Sequence, residues 1–147
     1  HHVARWRPAQ RRWTALCDPA PPTRCDIFGV GADNPDSSGI AYVYALALHE
    51  ASDRLFVGGI FSSAGQGRRY IDSLAAFNLR TSAWARVGAG IAGPNPLVRA
   101  LLIRGDTLYV GGSFTTVGRQ NNDVFRQGTE SASVASFSLT TGQWTAA

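Results

Sequence analysis

The stretch that decides the fold is LFVGGIF at residues 55–61, because it recurs as LYVGGSF at residues 108–114. In both copies an apolar run leads into a Gly-Gly pair and then a Phe. The run is rich in Val, Leu, Phe and Tyr and too short for a helical stripe, so each copy is expected to form a β-strand. It is apolar at nearly every position, which favours a strand covered on both faces, and the paired glycines permit a close backbone approach.

The sequence on both sides of this stretch repeats in the same order. VYALAL at residues 43–48 corresponds to VRALLI at residues 98–103, and LAAFNL at residues 74–79 corresponds to VASFSL at residues 134–139. Turn-forming Gly, Asn, Asp, Ser and Thr separate these runs. The chain therefore contains an internal repeat whose unit is several short strands.

A tryptophan marks the same place in each unit. Trp84 and Trp144 each stand ten residues after the first residue of the preceding strand segment. The same block opens the chain, where VARW at residues 3–6 precedes Trp13. We expect the three tryptophans to occupy equivalent, largely buried positions, because a Trp side chain buries a large apolar area.

Four apolar runs per unit predict an all-β fold, a partial β-propeller of about two and a half four-stranded antiparallel blades. The chain is predicted to be a single incomplete propeller domain, residues 1–147, beginning with the end of one blade at residues 1–16 and an insertion loop at residues 17–39. The second blade is expected at residues 40–90 and the third at residues 91–147. A blade cannot bury both faces alone, so further blades outside this chain are expected to complete the ring.

This order of motifs resembles the repeat of fungal cortical polarity-marker proteins and the bacterial repeats called delta-60, and it is more distantly similar to kelch repeats. The resemblance covers most of the chain from Val43 to Trp144, together with residues 3–16. It implies a propeller that serves as a non-catalytic binding or scaffold module of a larger repeat protein. Two long insertions, at residues 17–39 and 118–133, depart from the repeat.

The alternative is a fragment of a propeller-based secreted enzyme, either a kelch-like oxidase or a glycan-active enzyme, whose active site lies in other blades. Within this chain, His49 stands at a predicted turn and is interpreted as a turn residue rather than a ligand or base. NPDSSG at residues 34–39 opens like a calcium loop, but Ala45 occupies the twelfth position, and Asx turns explain the same residues. We predict no catalytic residue, no metal and no cofactor.

Charge and cysteine content indicate the class of partner and the compartment. All 14 basic residues are Arg, and with 10 acidic residues they give a net charge of +4 without a dense basic stripe, so no nucleic acid is expected. No apolar run reaches the length of a membrane helix, and any membrane anchor is expected outside this segment. Cys17 and Cys25 bracket a Pro-rich stretch and are predicted to form a disulfide, which favours an extracellular or cell-surface location.

Loop lengths predict which end of the blades binds a partner, an unknown protein or a glycan. In an antiparallel meander, the connection between the second and third strands of a blade (the second-to-third connection) lies at the same end as the connection from one blade to the next. Both insertions belong to connections of these two kinds. Long loops on a rigid scaffold are where binding usually occurs. The residues predicted to contact the partner are Arg68, Arg69, Tyr70, Asn121, Asn122, Asp123, Phe125 and Arg126.

Overall fold

The computed structural model describes residues 3–17, 27–28, 41–65, 71–119 and 127–146. The regular structure of these residues is β-strand apart from two short 3₁₀ turns, Pro8–Gln10 and Glu50–Ser52. The predicted all-β class is confirmed.

The second and third blades are four-stranded antiparallel meanders, and a two-stranded hairpin precedes them. The hairpin consists of β1 (Ala4–Arg7) and β2 (Arg12–Ala15). The second blade consists of β4 (Tyr42–His49), β5 (Arg54–Ile60), β7 (Leu74–Asn78) and β8 (Ala83–Arg86), paired in that order. The third consists of β10 (Leu97–Arg104), β11 (Thr107–Ser113), β14 (Val134–Ser138) and β15 (Trp144–Ala146), also paired in that order.

Five two-residue strands form two small sheets, called here the accessory sheets. The first pairs β3 (Ile27–Phe28) with β6 (Ser63–Ala64). In the second, β12 (Thr116–Val117) lies between β9 (Ile91–Ala92) and β13 (Thr129–Glu130). Each accessory sheet pairs the second-to-third connection of a blade with the segment that leads into the same blade: β6 with β3 for the second blade, and β12 with β9 for the third.

The register of the two outer strands is the same in all three units. The paired residues are Trp6 with Trp13, Phe77 with Trp84, and Phe137 with Trp144. Their ring centroids lie 5.4, 5.0 and 5.0 Å apart, respectively. The predicted equivalence of Trp13, Trp84 and Trp144 is therefore confirmed.

The blades pack face to face through alternating side chains. We call the side facing the preceding unit the leading face and the opposite side the trailing face. Val57 and Phe77 on the leading face of the second blade cluster with Val3 and Leu16 of the hairpin. The core on the trailing side of the second blade joins it to the third, and its members include Phe56, Leu74, Ala76, Val110, Ala135 and Phe137.

The predicted burial of all three tryptophans is wrong for Trp13. Trp84 is 1% exposed because the hairpin covers it, whereas Trp13 is 67% exposed. Trp13 lies on the leading face of the hairpin, where the described residues supply no preceding blade. Trp144 is half-buried. Burial at this position thus depends on the neighbouring blade as well as on the sequence of the unit.

The Gly-Gly pair has two separate structural roles. A Cβ at Gly59 would overlap the carbonyl oxygen of Tyr42, where β4 carries an irregularity in its register with β5. Gly58 instead faces the next blade, where a Cβ would overlap Val98. Gly59, the second glycine, is therefore required for strand pairing within the blade, and Gly58, the first, is required for packing against the next blade.

Candidate functional site

The predicted partner-contacting residues, Arg68, Arg69, Tyr70 and the group between Asn121 and Arg126, lie outside the described residues. The calcium-like stretch at residues 34–39 and Cys25 lie outside them as well. These assignments stay predictions. The described residues do define the framework from which the loops emerge.

The accessory sheets and two backbone hydrogen bonds fix the base of each second-to-third connection. In the second blade, the Ile71 N–H donates to the Ser62 carbonyl at 3.0 Å. In the third, the Ser131 N–H donates to the Thr115 carbonyl at 2.9 Å. Both hydrogen bonds lie where the long connections leave and rejoin the blades, so these loops start from an ordered β-framework.

The opposite end of the blades consists of tight turns. In each blade, the turn between the first and second strands is hydrogen-bonded to the turn between the third and fourth strands. The Leu79 N–H donates to the Asp53 carbonyl in the second blade, and the Leu139 N–H donates to the Asp106 carbonyl in the third, both at 2.8 Å. In the second blade the Asp53 carboxylate also pairs with the Arg80 guanidinium. The chain adds little length at this end.

His49 connects the two complete blades at the tight-turn end. It is the last residue of β4, its Nδ1 lies 2.7 Å from Ser52 Oγ, and its Nε2 lies 3.3 Å from Asp106 Oδ1 in the next blade. A serine, a histidine and an aspartate are also the components of a hydrolytic triad. Here, however, the Asp106 side chain is 66% exposed, so water screens its charge. The arrangement fits the predicted turn role of His49, with an added polar contact between blades.

A polar cavity of about 510 Å³ lies between the outer strands of the second and third blades. Arg86 contributes from β8, Gly118 follows β12, Thr129 belongs to β13, and Gln143 and Trp144 lie at the start of β15. Several glycines leave main-chain groups uncovered by side chains along the wall; they are Gly88, Gly118, Gly128 and Gly142. The lining therefore offers hydrogen-bonding groups together with one aromatic ring.

Sequence reasoning missed this cavity, although the repeat contains a signal for it. Aligning the third and fourth strands places Gln143 where the second blade has Ala83, and Gly88 where the hairpin unit has Cys17. The change from Cys to Gly removes a side chain next to Trp144, since a Cβ at Gly88 would lie 2.7 Å from the Trp144 indole nitrogen. That change is visible only after the strand register is known.

Three features are absent from the residues that the structure describes. No group of three or more His, Cys, Asp or Glu residues suited to a metal ion occurs there. None of the helices described is long and apolar enough to cross a membrane. No free cysteine occurs in this part of the chain either.

No family model matches the chain, and no curated protein matches it.

Proposed function

We propose that this chain is a non-catalytic binding or scaffold module of a larger repeat protein that is secreted or displayed at the cell surface. Its partner is an unknown protein or a glycan. The partner contacts the end of the blades that carries the insertions. The predicted contact residues there are Arg68, Arg69, Tyr70, Asn121, Asn122, Asp123, Phe125 and Arg126.

The observation that carries this proposal is the asymmetry between the two ends of the blades. At one end the connections are tight turns such as Glu50–Ser52. At the other end, long connections leave the framework of accessory sheets, and β13 within the last insertion is paired to β12. Long loops held on a rigid framework provide side chains for recognition without disturbing the core.

The secreted location rests on the proposed disulfide between Cys17 and Cys25. Structural disulfides persist in oxidising compartments and are rare where glutathione keeps thiols reduced. Closing a loop of this length contributes about 2–3 kcal/mol to stability, mainly because the bond restricts the conformations of the unfolded chain.

The test replaces the middle of the last insertion and leaves the paired strands β12 and β13 unchanged. In the full protein, residues 120–126 are exchanged for a Gly-Ser segment of equal length, and binding to cells and to immobilised glycans is measured by fluorescence. We expect binding to fall roughly tenfold or more, because few interface residues carry most of the binding free energy.

The matched control exchanges Pro8–Gln10, an exposed turn at the opposite end, for Gly-Ser residues and is expected to keep full binding. Equal binding by both variants would contradict the proposal. The alternative, a secreted oxidase or glycan-active enzyme, predicts hydrogen peroxide or cleaved glycan when the full protein is incubated with glycans.

A further inference from the structure

We propose that Tyr44 and Arg99, which lie side by side on the first strands of the two complete blades, bind an acidic segment of a protein partner. This assignment rests on the proposed function and deepens it by naming the class of partner. Both residues stand third in their strands, near the end of the blades that carries the insertions. They form a contact site separate from the predicted loop residues.

The same irregularity in strand pairing produces both positions. In the second blade, the residues on either side of Tyr44 pair with the two adjacent glycines of β5, so Tyr44 is an extra residue without a partner on that strand. In the third blade, Arg99 is the extra residue between two residues that pair with the adjacent glycines of β11. An extra residue of this kind forms a β-bulge, and bulges in natural sheets often re-aim a side chain next to a functional site.

The Gly-Gly pair explains why the bulge occurs in both blades. A Cβ at Gly59 would overlap the carbonyl oxygen of Tyr42, and a Cβ at Gly112 would overlap that of Leu97. The second glycine of the pair therefore leaves room for the first strand where it enters the bulge. Both copies of the repeat keep this backbone, whereas the extra residue is a Tyr in one copy and an Arg in the other. A fixed backbone that presents different side chains suits a contact position.

The two extra residues meet across the junction and are accessible to solvent. β4 and β10 each lie at the end of their sheet, with a strand partner on one side only among the described residues. Tyr44 is 46% exposed, and the guanidinium carbon of the exposed Arg99 lies 5.8 Å from the centre of the Tyr44 ring. Tyr42 stacks on Tyr44, with ring centroids 6.1 Å apart. Because a guanidinium over an aromatic face is attracted to it, the two rings help to hold Arg99 in place.

Charge selects an acidic partner. Neither β4 nor β10 contains an acidic residue, and none of the ion pairs between described residues includes Arg99. Its planar guanidinium can bind a carboxylate through two parallel hydrogen bonds. Tyr and Arg are also enriched among the residues that dominate binding at protein–protein interfaces, which favours a protein partner over a glycan. The net charge of +4 adds a long-range attraction for an acidic segment.

The test measures binding of this chain to a fluorescein-labelled peptide of alternating Glu and Gly residues by fluorescence anisotropy. A peptide with Gln in place of Glu is the neutral probe, and a hyaluronan oligosaccharide presents carboxylates on a sugar instead. We expect saturable binding to the Glu peptide that is about tenfold or more tighter than binding to the Gln peptide, because hydrogen bonds between ionised groups are stronger than neutral ones.

Substitutions then assign the binding to the site. Arg99→Gln should weaken binding of the Glu peptide about tenfold, and Arg99→Lys about threefold, because Lys keeps the charge but lacks the planar fork. Tyr44→Ala should weaken it about threefold through loss of the ring beside the guanidinium. Arg54→Gln is the matched control, since it makes the same change of charge at an exposed position of β5 at the tight-turn end. It should bind within about twofold of the parent chain.

Three results would overturn the inference. They are no saturable binding of the Glu peptide, equal losses in Arg99→Gln and Arg54→Gln, which would reflect net charge alone, and tighter binding of hyaluronan than of the Glu peptide, which would assign an acidic glycan instead. None of them changes the outcome of the loop exchange at residues 120–126, which tests the proposed function. The two failures can therefore be told apart.

Discussion

At the scale of single residues, the same sequence position has different energetic importance in successive units. Trp84 is enclosed by Phe77 and the first hairpin, whereas Trp13 has only Trp6 as an aromatic neighbour among the described residues. Burial of apolar area is the main source of stabilisation in such contacts. The difference between units therefore predicts unequal effects of one substitution.

Trp84→Ala should lower the free energy of unfolding by about 3–5 kcal/mol, because it leaves a cavity at the first junction. Trp13→Ala should cost less than about 1 kcal/mol, since 67% of that side chain is already exposed. Urea denaturation of both variants measures the difference. Equal losses would contradict the assignment of Trp84 to a covered face and Trp13 to an uncovered one.

The surface ion pair at the tight-turn end should matter little. The Arg80 side chain is 80% exposed, so water screens its attraction to Asp53. Arg80→Ala is expected to lower the free energy of unfolding by less than about 1 kcal/mol, and the loss should shrink further in high salt. A large, salt-independent loss in thermal denaturation would show that Arg80 has a packing role instead.

At the scale of elements, the connections carry the differences between units. The blade strands follow the repeat, whereas the insertions contain two additional strands. β3 pairs with β6 in the second-to-third connection of the second blade, and β13 lies within that connection of the third blade. One of these insertions begins at Cys17, whose predicted pairing with Cys25 would fix the start of that segment.

Mass spectrometry of the protein, purified without reductant and kept under non-reducing conditions, tests that pairing. We expect a peptide that links Cys17 to Cys25 and separates on reduction, together with lower thermal stability in the Cys17→Ser, Cys25→Ser double variant. Two alkylatable thiols in the native protein would contradict the disulfide and remove the main support for the proposed oxidising compartment.

The strands and their register could be predicted because the repeat contains them. Alternation, Gly-Gly pairs and Trp spacing are local signals, and they locate β5, β7 and their equivalents. The exposure of Trp13 could not be predicted, since it depends on a neighbouring blade. The accessory strand Thr129–Glu130 is too short and polar to show periodicity, and the cavity beside Trp144 depends on how two blades meet.

At the scale of the whole molecule, both complete blades carry exposed apolar side chains among the described residues. Tyr44, Leu46 and Leu48 on β4 are largely exposed, as are Leu102 and Tyr109 on the third blade. Leu102 and Tyr109 are directly paired across β10 and β11, and exposed neighbouring apolar side chains often belong to an interface.

We therefore expect this chain to associate with itself at high concentration. The double variant Leu102→Lys, Tyr109→Lys removes part of the trailing face of the third blade and should lower the associated fraction in analytical ultracentrifugation. Glu50→Lys, an exposed change in a tight turn, is the control. A monomeric parent chain across the accessible concentration range would contradict this expectation.

The central claim is that equivalent blades pack leading face against trailing face, and the equivalent glycines Gly58 and Gly111 test it most directly. Gly58 lies in the junction, where an added methyl group would overlap Val98, whereas Gly111 would meet only the Cβ of Ala100 at 3.8 Å. The measurement is the free energy of unfolding of Gly58→Ala and Gly111→Ala in the same chain. We predict a loss of about 1–3 kcal/mol for Gly58→Ala, from overpacking, and a change within about 0.5 kcal/mol for Gly111→Ala. Equal effects of the two substitutions would contradict the face-to-face packing of the blades.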